Sequence, residues 1–159
     1  MQLAIKNKWV SLGGASVVQD LDGKDVLKVA GKVFSLRRKK KIMTLADEHL
    51  YTVSNKFFSF LGRTAFVYDA DGKKIATIRK KLLSLGDKYR IESFLGNIEI
   101  NGNILGFDYH VLVDGKEVGH ISRKISLRDS FVLDIDDSFD YRLFVALVIA
   151  IDNVTDRNK

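Results

Sequence analysis

The 159-residue sequence contains no cysteine and no proline. Without thiols the chain forms no disulfide, no thiolate metal site and no cysteine nucleophile, and this composition favours a reducing, cytoplasmic setting. Without proline, no strand contains a residue that lacks a backbone N–H donor. These absences exclude disulfide-stapled domains and cysteine-dependent enzymes, and they suit a chain built from uninterrupted strands.

Long apolar runs are also missing. The longest, Leu143–Ile151, has nine residues, whereas a helix that crosses a bilayer needs about 20. The N-terminal segment carries Lys6 and Lys8 within its apolar pattern and lacks the apolar core of a secretory signal. We therefore expect one domain over residues 1–159, located in the cytoplasm or peripherally at the inner membrane face.

The sequence does contain a repeated phrase of lysine, two apolar residues, serine and a further apolar residue. Four full copies are spaced by 24, 24 and 25 residues, and a shortened copy follows 42 residues later. The copies are centred on Ser11, Ser35, Ser59, Ser84 and Ser126. Self-similarity at a fixed period indicates repeated supersecondary units.

A second signal, Asp-Gly in three of five cases, follows each of the four full phrases by 11 or 12 residues, and its fifth copy lies 11 residues after Asn103, near which a further phrase is missing. The pairs are Asp22-Gly23, Asp47-Glu48, Asp71-Gly72, Leu95-Gly96 and Asp114-Gly115. Asp-Gly is the favoured hairpin dipeptide because a type I′ turn needs positive φ at both central residues. Each unit is therefore predicted to be a strand, a tight turn, a strand and a second turn at the serine.

The number of units sets the number of strands. Five units predict ten strands, and residues 2–10 and 127–135 predict one more each. Short turns join the strands in sequence, and closure of such a meander into a barrel removes its two exposed edges. The sequence therefore predicts an α+β fold, mostly β, with a closed antiparallel barrel of about 12 strands within residues 2–137.

A C-terminal helix is predicted over about residues 138–153. Asp137 or Ser138 is expected to cap it, and Asp140 complements its dipole. The following run is apolar on every side, so it must be buried on every side. Its apolar members are Leu143, Phe144, Val145, Leu147, Val148, Ile149 and Ile151.

The barrel offers a place for this helix. About eight strands enclose a space that side chains fill alone, whereas about twelve leave a central hole. A helix is about 10–12 Å across with its side chains, so it fits that hole. The alternatives are a helix packed on one face of the barrel and a membrane tail anchor, for which the run is short.

Several segments resemble the bacterial branch of the LURP-one-related family, within the tubby-like superfamily. They are residues 71–78, 80–85, 129–135 and 147–152, together with the repeated Ser-Leu turns. The resemblance implies a twelve-stranded barrel around a central hydrophobic helix. It also implies distant kinship with tubby, which binds phosphoinositides, and with the phospholipid scramblases. No phosphoinositide-contact motif of tubby matches residue by residue, and the cysteine-rich and proline-rich segments of scramblases are absent.

Positive charge is in excess, with 26 basic and 20 acidic side chains and a net charge of +6. The cations that cluster near the predicted serine turns are Arg37, Arg38, Lys39, Lys40, Lys41, Arg79, Lys80, Lys81, Arg123 and Lys124. The first five are predicted to form a hairpin tip. If the serine turns share one rim, these clusters form a basic surface for anionic phospholipid or a membrane; the alternative is ordinary solvated charge.

Nucleic acid is not expected as a partner, because most aromatic residues near basic ones, including Phe66 and Tyr68, are interpreted as core-facing.

A metal is not expected either. Around a two-residue Asp114-Gly115 loop, His110 pairs with residue 119, so His120 is predicted on the opposite face. The acidic residues that precede the helix are interpreted as carboxylates that interact favourably with the positive end of the helix dipole, rather than as metal ligands.

Catalysis has no sequence support. No glycine-flanked serine elbow is present, and Gly13-Gly14 is not followed by the lysine of a phosphate loop. We therefore expect a non-enzymatic binding module without a cofactor, which meets anionic phospholipid or a membrane surface. The alternatives are a carrier of a small apolar or acyl ligand in the barrel interior and a structural protein-interaction domain. The sequence leaves the oligomeric state open.

Overall fold

The computed structural model describes residues 1–6, 16–31, 38–56, 64–80, 87–103, 108–123 and 130–155. These ranges hold twelve strands and one helix. The first six strands are β1 (Gln2–Lys6), β2 (Ser16–Asp20), β3 (Asp25–Gly31), β4 (Lys40–Met43), β5 (His49–Asn55) and β6 (Thr64–Tyr68). The others are β7 (Lys74–Lys80), β8 (Asp87–Ser93), β9 (Gly96–Asn103), β10 (Asp108–Val113), β11 (Lys116–Arg123) and β12 (Ser130–Ile135). The helix α1 spans Tyr141–Thr155.

The strands form one closed sheet. Each pairs in antiparallel fashion with its neighbours in sequence, and β1 also pairs with β12. The closing pair places Leu3 opposite Leu133 and Ile5 opposite Phe131. The predicted closed antiparallel barrel of twelve strands is confirmed. Every serine of the repeated phrase lies outside the described ranges, so the serine turns stay predictions.

Side chains alternate between the interior and the outer surface because successive strand residues point to opposite faces. On β8, Tyr89 and Ile91 are buried, whereas Lys88 and Arg90 are exposed. The inward residues of all the strands join one apolar core. Where the strand pairing is regular, this alternation therefore separates the side chains of the core from those of the outer wall.

The helix lies inside the barrel. All residues from Leu143 to Ala150 have an exposed fraction of 4% or less, and eight successive helical residues cover the whole helix circumference. A helix packed on the outer wall would expose one side to solvent. Burial on every side therefore places α1 within the closed sheet, where its apolar surface meets the inward side chains of the strands.

The helix is off-centre and lies nearest to β5, β6 and β7. Four of the inward residues there are small or medium-sized, namely Val53, Ala65, Val67 and Ala76, whereas Ile78 is a large inward residue of β7. Larger side chains fill the rest of the interior, among them Leu3, Ile5, Leu27, Tyr89, Ile91, Ile98, Ile100 and Leu133. Small side chains let the helix axis approach one wall, and bulky ones fill the space that remains.

The Asp-Gly turns form hairpins, but through two kinds of loop. Asp114 and Gly115 both have positive φ, at 48° and 83°, as a type I′ turn requires. In the other two Asp-Gly turns only the glycine has positive φ, at 83° for both Gly23 and Gly72. These match a type I turn followed by a left-handed glycine. The Asp20 carboxylate accepts two backbone N–H groups of its own loop, which is turn chemistry.

The helix begins later than predicted. Asp137 and Ser138 precede the first helical residue, Tyr141, and do not cap the helix. Asp140 is the N-cap, because its Oδ1 accepts the backbone N–H of Arg142 at 3.1 Å. Asp137, Ser138 and Asp140 are all of residue types that favour the N-cap position, so residue type alone does not identify the cap.

The enclosure of the helix predicts a large cost for shortening a side chain at its centre. Leu147→Ala removes buried methyl groups and leaves a cavity, so the free energy of unfolding should fall by about 2–5 kcal/mol. Leu45→Ala is the matched control at an exposed position and should change it by about 0.5 kcal/mol or less. Urea unfolding of both variants measures the difference. Equal, small effects would contradict the enclosure.

Candidate anion-binding rim

Antiparallel strands bring their ends to two rims of the barrel. At one of them β3, β5 and β7 end and β4, β6 and β8 begin. We call this end the basic rim, and its described cations include Arg38, Lys39, Lys40, Lys41, Lys56, Arg79, Lys80 and Lys88. Lys6 and Arg123 also end strands, β1 and β11, at this rim. Three described carboxylate residues lie near this end. Asp108 and Asp152 are paired with His120 and Lys40 respectively, and Asp87 is the first residue of β8.

The opposite end carries the tight turns and the start of the helix, and we call it the acidic rim. Its exposed carboxylates are Asp22, Asp25, Asp47, Glu48, Asp71, Asp114, Glu117, Asp136, Asp137 and Asp140. Lys24, Lys73, Lys74, Lys116 and Arg142 are exposed cations at the same end. Carboxylates predominate there because the sequence uses aspartate both in its hairpin turns and before the helix.

The basic run at residues 37–41 is only partly a hairpin tip. Arg37 lies outside the described residues, and Arg38 has a φ of 46°. Lys40 and Lys41 belong to β4, which corrects the prediction that the whole run forms a tip. Lys40 lies opposite the inward residue Val53 and therefore faces the interior, whereas Lys41 is exposed on the outer wall.

Two of these cations hold the end of the helix. Arg38 Nη1 and Asn55 Nδ2 donate to the backbone carbonyl of Asn153, at 3.3 and 3.2 Å. In return, Asn153 Nδ2 donates to the backbone carbonyl of Arg38 at 3.0 Å. Lys40 Nζ lies 3.5 Å from Asp152 Oδ2. The basic run and the last turn of α1 are therefore joined by reciprocal hydrogen bonds and an ion pair.

These contacts have a physical cause. The last carbonyls of a helix lack partners within the helix and carry partial negative charge, so they attract donors and cations. Asn153 is only 3% exposed, and a buried polar side chain must be hydrogen-bonded. Sequence reasoning missed Asn55 and Asn153 as partners of the basic run. A polar residue directly after the apolar run was the available signal.

The cations of β7 have other partners. Arg79 Nη1 lies 2.5 Å from Glu92 Oε1 on the outer wall, and Lys80 Nζ lies 5.7 Å from the centre of the Tyr89 ring. β7 is three strand spacings from β4, which corresponds to about 14 Å. The first two predicted clusters therefore occupy the same side of the barrel.

The third predicted cluster lies elsewhere. Arg123 ends β11, which is four strands beyond β7 around the barrel. Lys81 and Lys124 lie outside the described residues. A basic ring that includes all the predicted residues stays a prediction.

The two histidines near the Asp114-Gly115 loop share a face, which corrects the sequence analysis. His110 pairs directly with His120, because the register shifts beyond Val111 and leaves Val118 unpaired. One extra residue in a strand reverses the face of every residue after it. The two ring centres are 5.3 Å apart on the outer wall.

Phe66 and Tyr68 also face outwards, contrary to the core-facing interpretation. The alternate residues Ala65 and Val67 are fully buried in the interior, so the two aromatic rings lie on the outer wall of β6. Their centres are 6.3 Å apart in an edge-to-face arrangement. Lys74 Nζ lies 5.2 Å from the centre of the Phe66 ring. The rings therefore cover the wall rather than fill the core.

The phenol of Tyr51 supports the other end of the helix. Its hydroxyl donates to Asp140 Oδ2 at 3.2 Å. Burial, followed by the negative charge of Asp140 and this hydrogen bond, raises the pKa of Tyr51 to about 12. Asp140 also caps the helix, so Tyr51 ties β5 to the first turn of α1.

The described residues contain neither a candidate metal site nor a candidate membrane-spanning helix. Within those ranges, no three histidine or carboxylate side chains converge to hold a metal ion. No helix there is long and apolar enough to cross a membrane.

Comparisons with known proteins concern the family and the fold. The family model described as LURP-one-related matches residues 1–152. The crystal structure of a protein from Arabidopsis thaliana is similar, with a TM-score of 0.70 and 18% sequence identity. The match covers 98% of this chain and 91% of that one, and at this identity it concerns the fold alone. No curated protein matches the sequence.

The hydrogen bonds of Asn153 predict a measurable contribution to stability. Asn153→Ala removes the donor to the Arg38 carbonyl, and the free energy of unfolding should fall by about 1–3 kcal/mol. Asn97→Ala removes the same group at an exposed position and should have little effect. Urea unfolding measures both. Equal free energies of unfolding for the two variants would show that the contact between the basic run and the helix does not contribute to stability.

The raised pKa of Tyr51 predicts how stability depends on alkaline pH. Since the pKa is higher in the folded state (about 12) than the ordinary value of 10.0, the contribution of Tyr51 is complete below pH 10 and is lost as the pH rises to about 12. Tyr51→Phe should lack this component. Free energies of unfolding of both proteins across this pH range test the expectation, and parallel curves would refute it.

Proposed function

This chain belongs to the LURP-one-related family, and we propose that it is a non-enzymatic module that binds anionic phospholipid through its basic rim. The proposal assigns the exposed cations at the beginning of β4 and at the end of β7 to lipid headgroups at the inner membrane face. It assigns no catalytic role to any described side chain.

The observation that carries the proposal is the opposite charge of the two rims. Cations gather at the basic rim, and carboxylates gather at the other end of the same barrel. A molecule with this charge distribution has a preferred orientation near a negative surface, with its cations towards the surface and its carboxylates away. Each lysine or arginine near an anionic membrane contributes about 1 kcal/mol.

The cations of the basic rim divide into two groups. Arg38 and Lys40 contact the end of the helix, so their first role in this proposal is structural. Lys39, Lys41 and Arg79 are exposed and are assigned to the headgroups. Arg79 also contacts Glu92, but an exposed pair of this kind is weak and leaves the cation accessible.

Vesicle flotation tests the assignment. The protein is mixed with phosphatidylcholine vesicles that contain either no phosphatidylserine or about 30% of it. Binding should require the anionic lipid and weaken at high salt, because salt screens the attraction. The triple variant Lys39→Gln, Lys41→Gln, Arg79→Gln should bind about a hundredfold more weakly, as three lost cations predict.

The matched control carries Lys24→Gln, Lys73→Gln and Lys116→Gln. These residues are also exposed but lie at the acidic rim, so the net charge changes equally while the basic rim is intact. The control should bind like the unchanged protein. Equal losses in both triple variants would show that only net charge matters, and no binding at low salt would reject the proposal. A lipid extracted from the purified protein would instead favour the carrier alternative.

A further inference from the structure

The exposed apolar side chains have an uneven distribution. Among the described residues, the large apolar side chains that are exposed are Met1, Leu21, Leu45 and Phe94, at 39%, 45%, 44% and 68%. All four lie at the acidic rim, at the start of β1 or at the tips of the β2–β3, β4–β5 and β8–β9 hairpins. Isolated exposed leucines are ordinary, so their spacing and surroundings decide whether they form a surface.

Leu21 and Leu45 are at the tips of successive hairpins. The tips are separated by two strand spacings, which corresponds to about 10 Å. Met1 precedes β1, and β1 is the neighbour of β2, so it lies beside the same edge. We call the pair Leu21 and Leu45 the leucine edge.

Carboxylates outnumber cations around the leucine edge, although Lys24 is exposed in the loop that holds Leu21. Asp22 is adjacent to Leu21, and Glu48 closes the loop that holds Leu45; both are exposed. Asp47, in the same loop, contacts Lys28 at 2.8 Å. An occupant that covers the two leucines is therefore met by negative charge on each side, and it must supply cations of its own.

We propose that the leucine edge binds a basic amphipathic helix of a protein partner. Apolar residues at heptad spacing recur about every 10 Å along a helix, which matches the separation of the two hairpin tips. Such a helix can place one leucine-sized residue against Leu21 and the next against Leu45. Its flanking lysines and arginines then face Asp22 and Glu48.

This surface is separate from the one proposed for lipid. The leucine edge lies at the opposite end of the barrel from Lys41 and Arg79. A molecule held by its basic rim on a membrane would present the leucine edge away from it. The inference does not require lipid binding, and an assay without lipid tests it.

The probe is a fluorescently labelled synthetic helix of about 18 residues, with leucine at heptad positions and lysine on the flanks. A scrambled peptide has the same composition without an apolar side, and a second control has glutamate in place of lysine. Fluorescence anisotropy should show binding of the amphipathic basic peptide and weaker binding of both controls. The double variant Leu21→Ser, Leu45→Ser should lose about tenfold in affinity.

Phe94→Ser is the matched protein control, because it removes an exposed apolar side chain from the same rim but from a different hairpin. It should retain full affinity, and urea unfolding should show that both variants keep their stability. If the scrambled peptide bound as tightly as the amphipathic basic peptide, charge attraction alone would explain the binding, and the proposal would be overturned. So would an unchanged double variant, or self-association through this edge that the peptide does not displace.

Discussion

The structure depends on the mutual enclosure of one helix and one ring of strands. A ring of twelve strands is too wide for its own side chains to fill, and a helix that is apolar on every side is not stable in water. The helix fills the interior of the ring, and the ring shields the apolar surface of the helix from water. Because small residues such as Ala65 and Ala76 line β6 and β7, the helix approaches one wall, and larger side chains fill the opposite part of the core.

Enclosure of the helix also governs its two polar ends. The first amides and last carbonyls of a buried helix must find partners, and the barrel supplies them at its rims. Tyr51 contacts the capping Asp140 at one end, while Arg38 and Asn55 donate to Asn153 at the other. The position of the helix is thus linked to Arg38, which belongs to the same basic run as Lys39 and Lys41 of the candidate binding surface.

The two rims differ in the surfaces that they offer to binding partners. The basic rim offers exposed cations on one side of the barrel, and the acidic rim offers the leucine edge. Under the two proposals the molecule would hold an anionic surface at one end and a basic helical segment at the other. A meander that closes makes this arrangement natural, because alternate turns of an antiparallel barrel always gather at opposite ends.

The sequence by itself determined the number of strands, the closed barrel and the apolar helix, because period, turn chemistry and an all-round apolar run are local properties of the chain. Tertiary structure decided the rest. The unpaired Val118 placed His120 beside His110, a change that hydrophobic period does not reveal because one extra residue reverses a face. The contact of Arg38 with Asn153 joins residues 115 positions apart. Only closure of the sheet around the helix brings such distant groups together, so the role of the basic run was not readable from its charge.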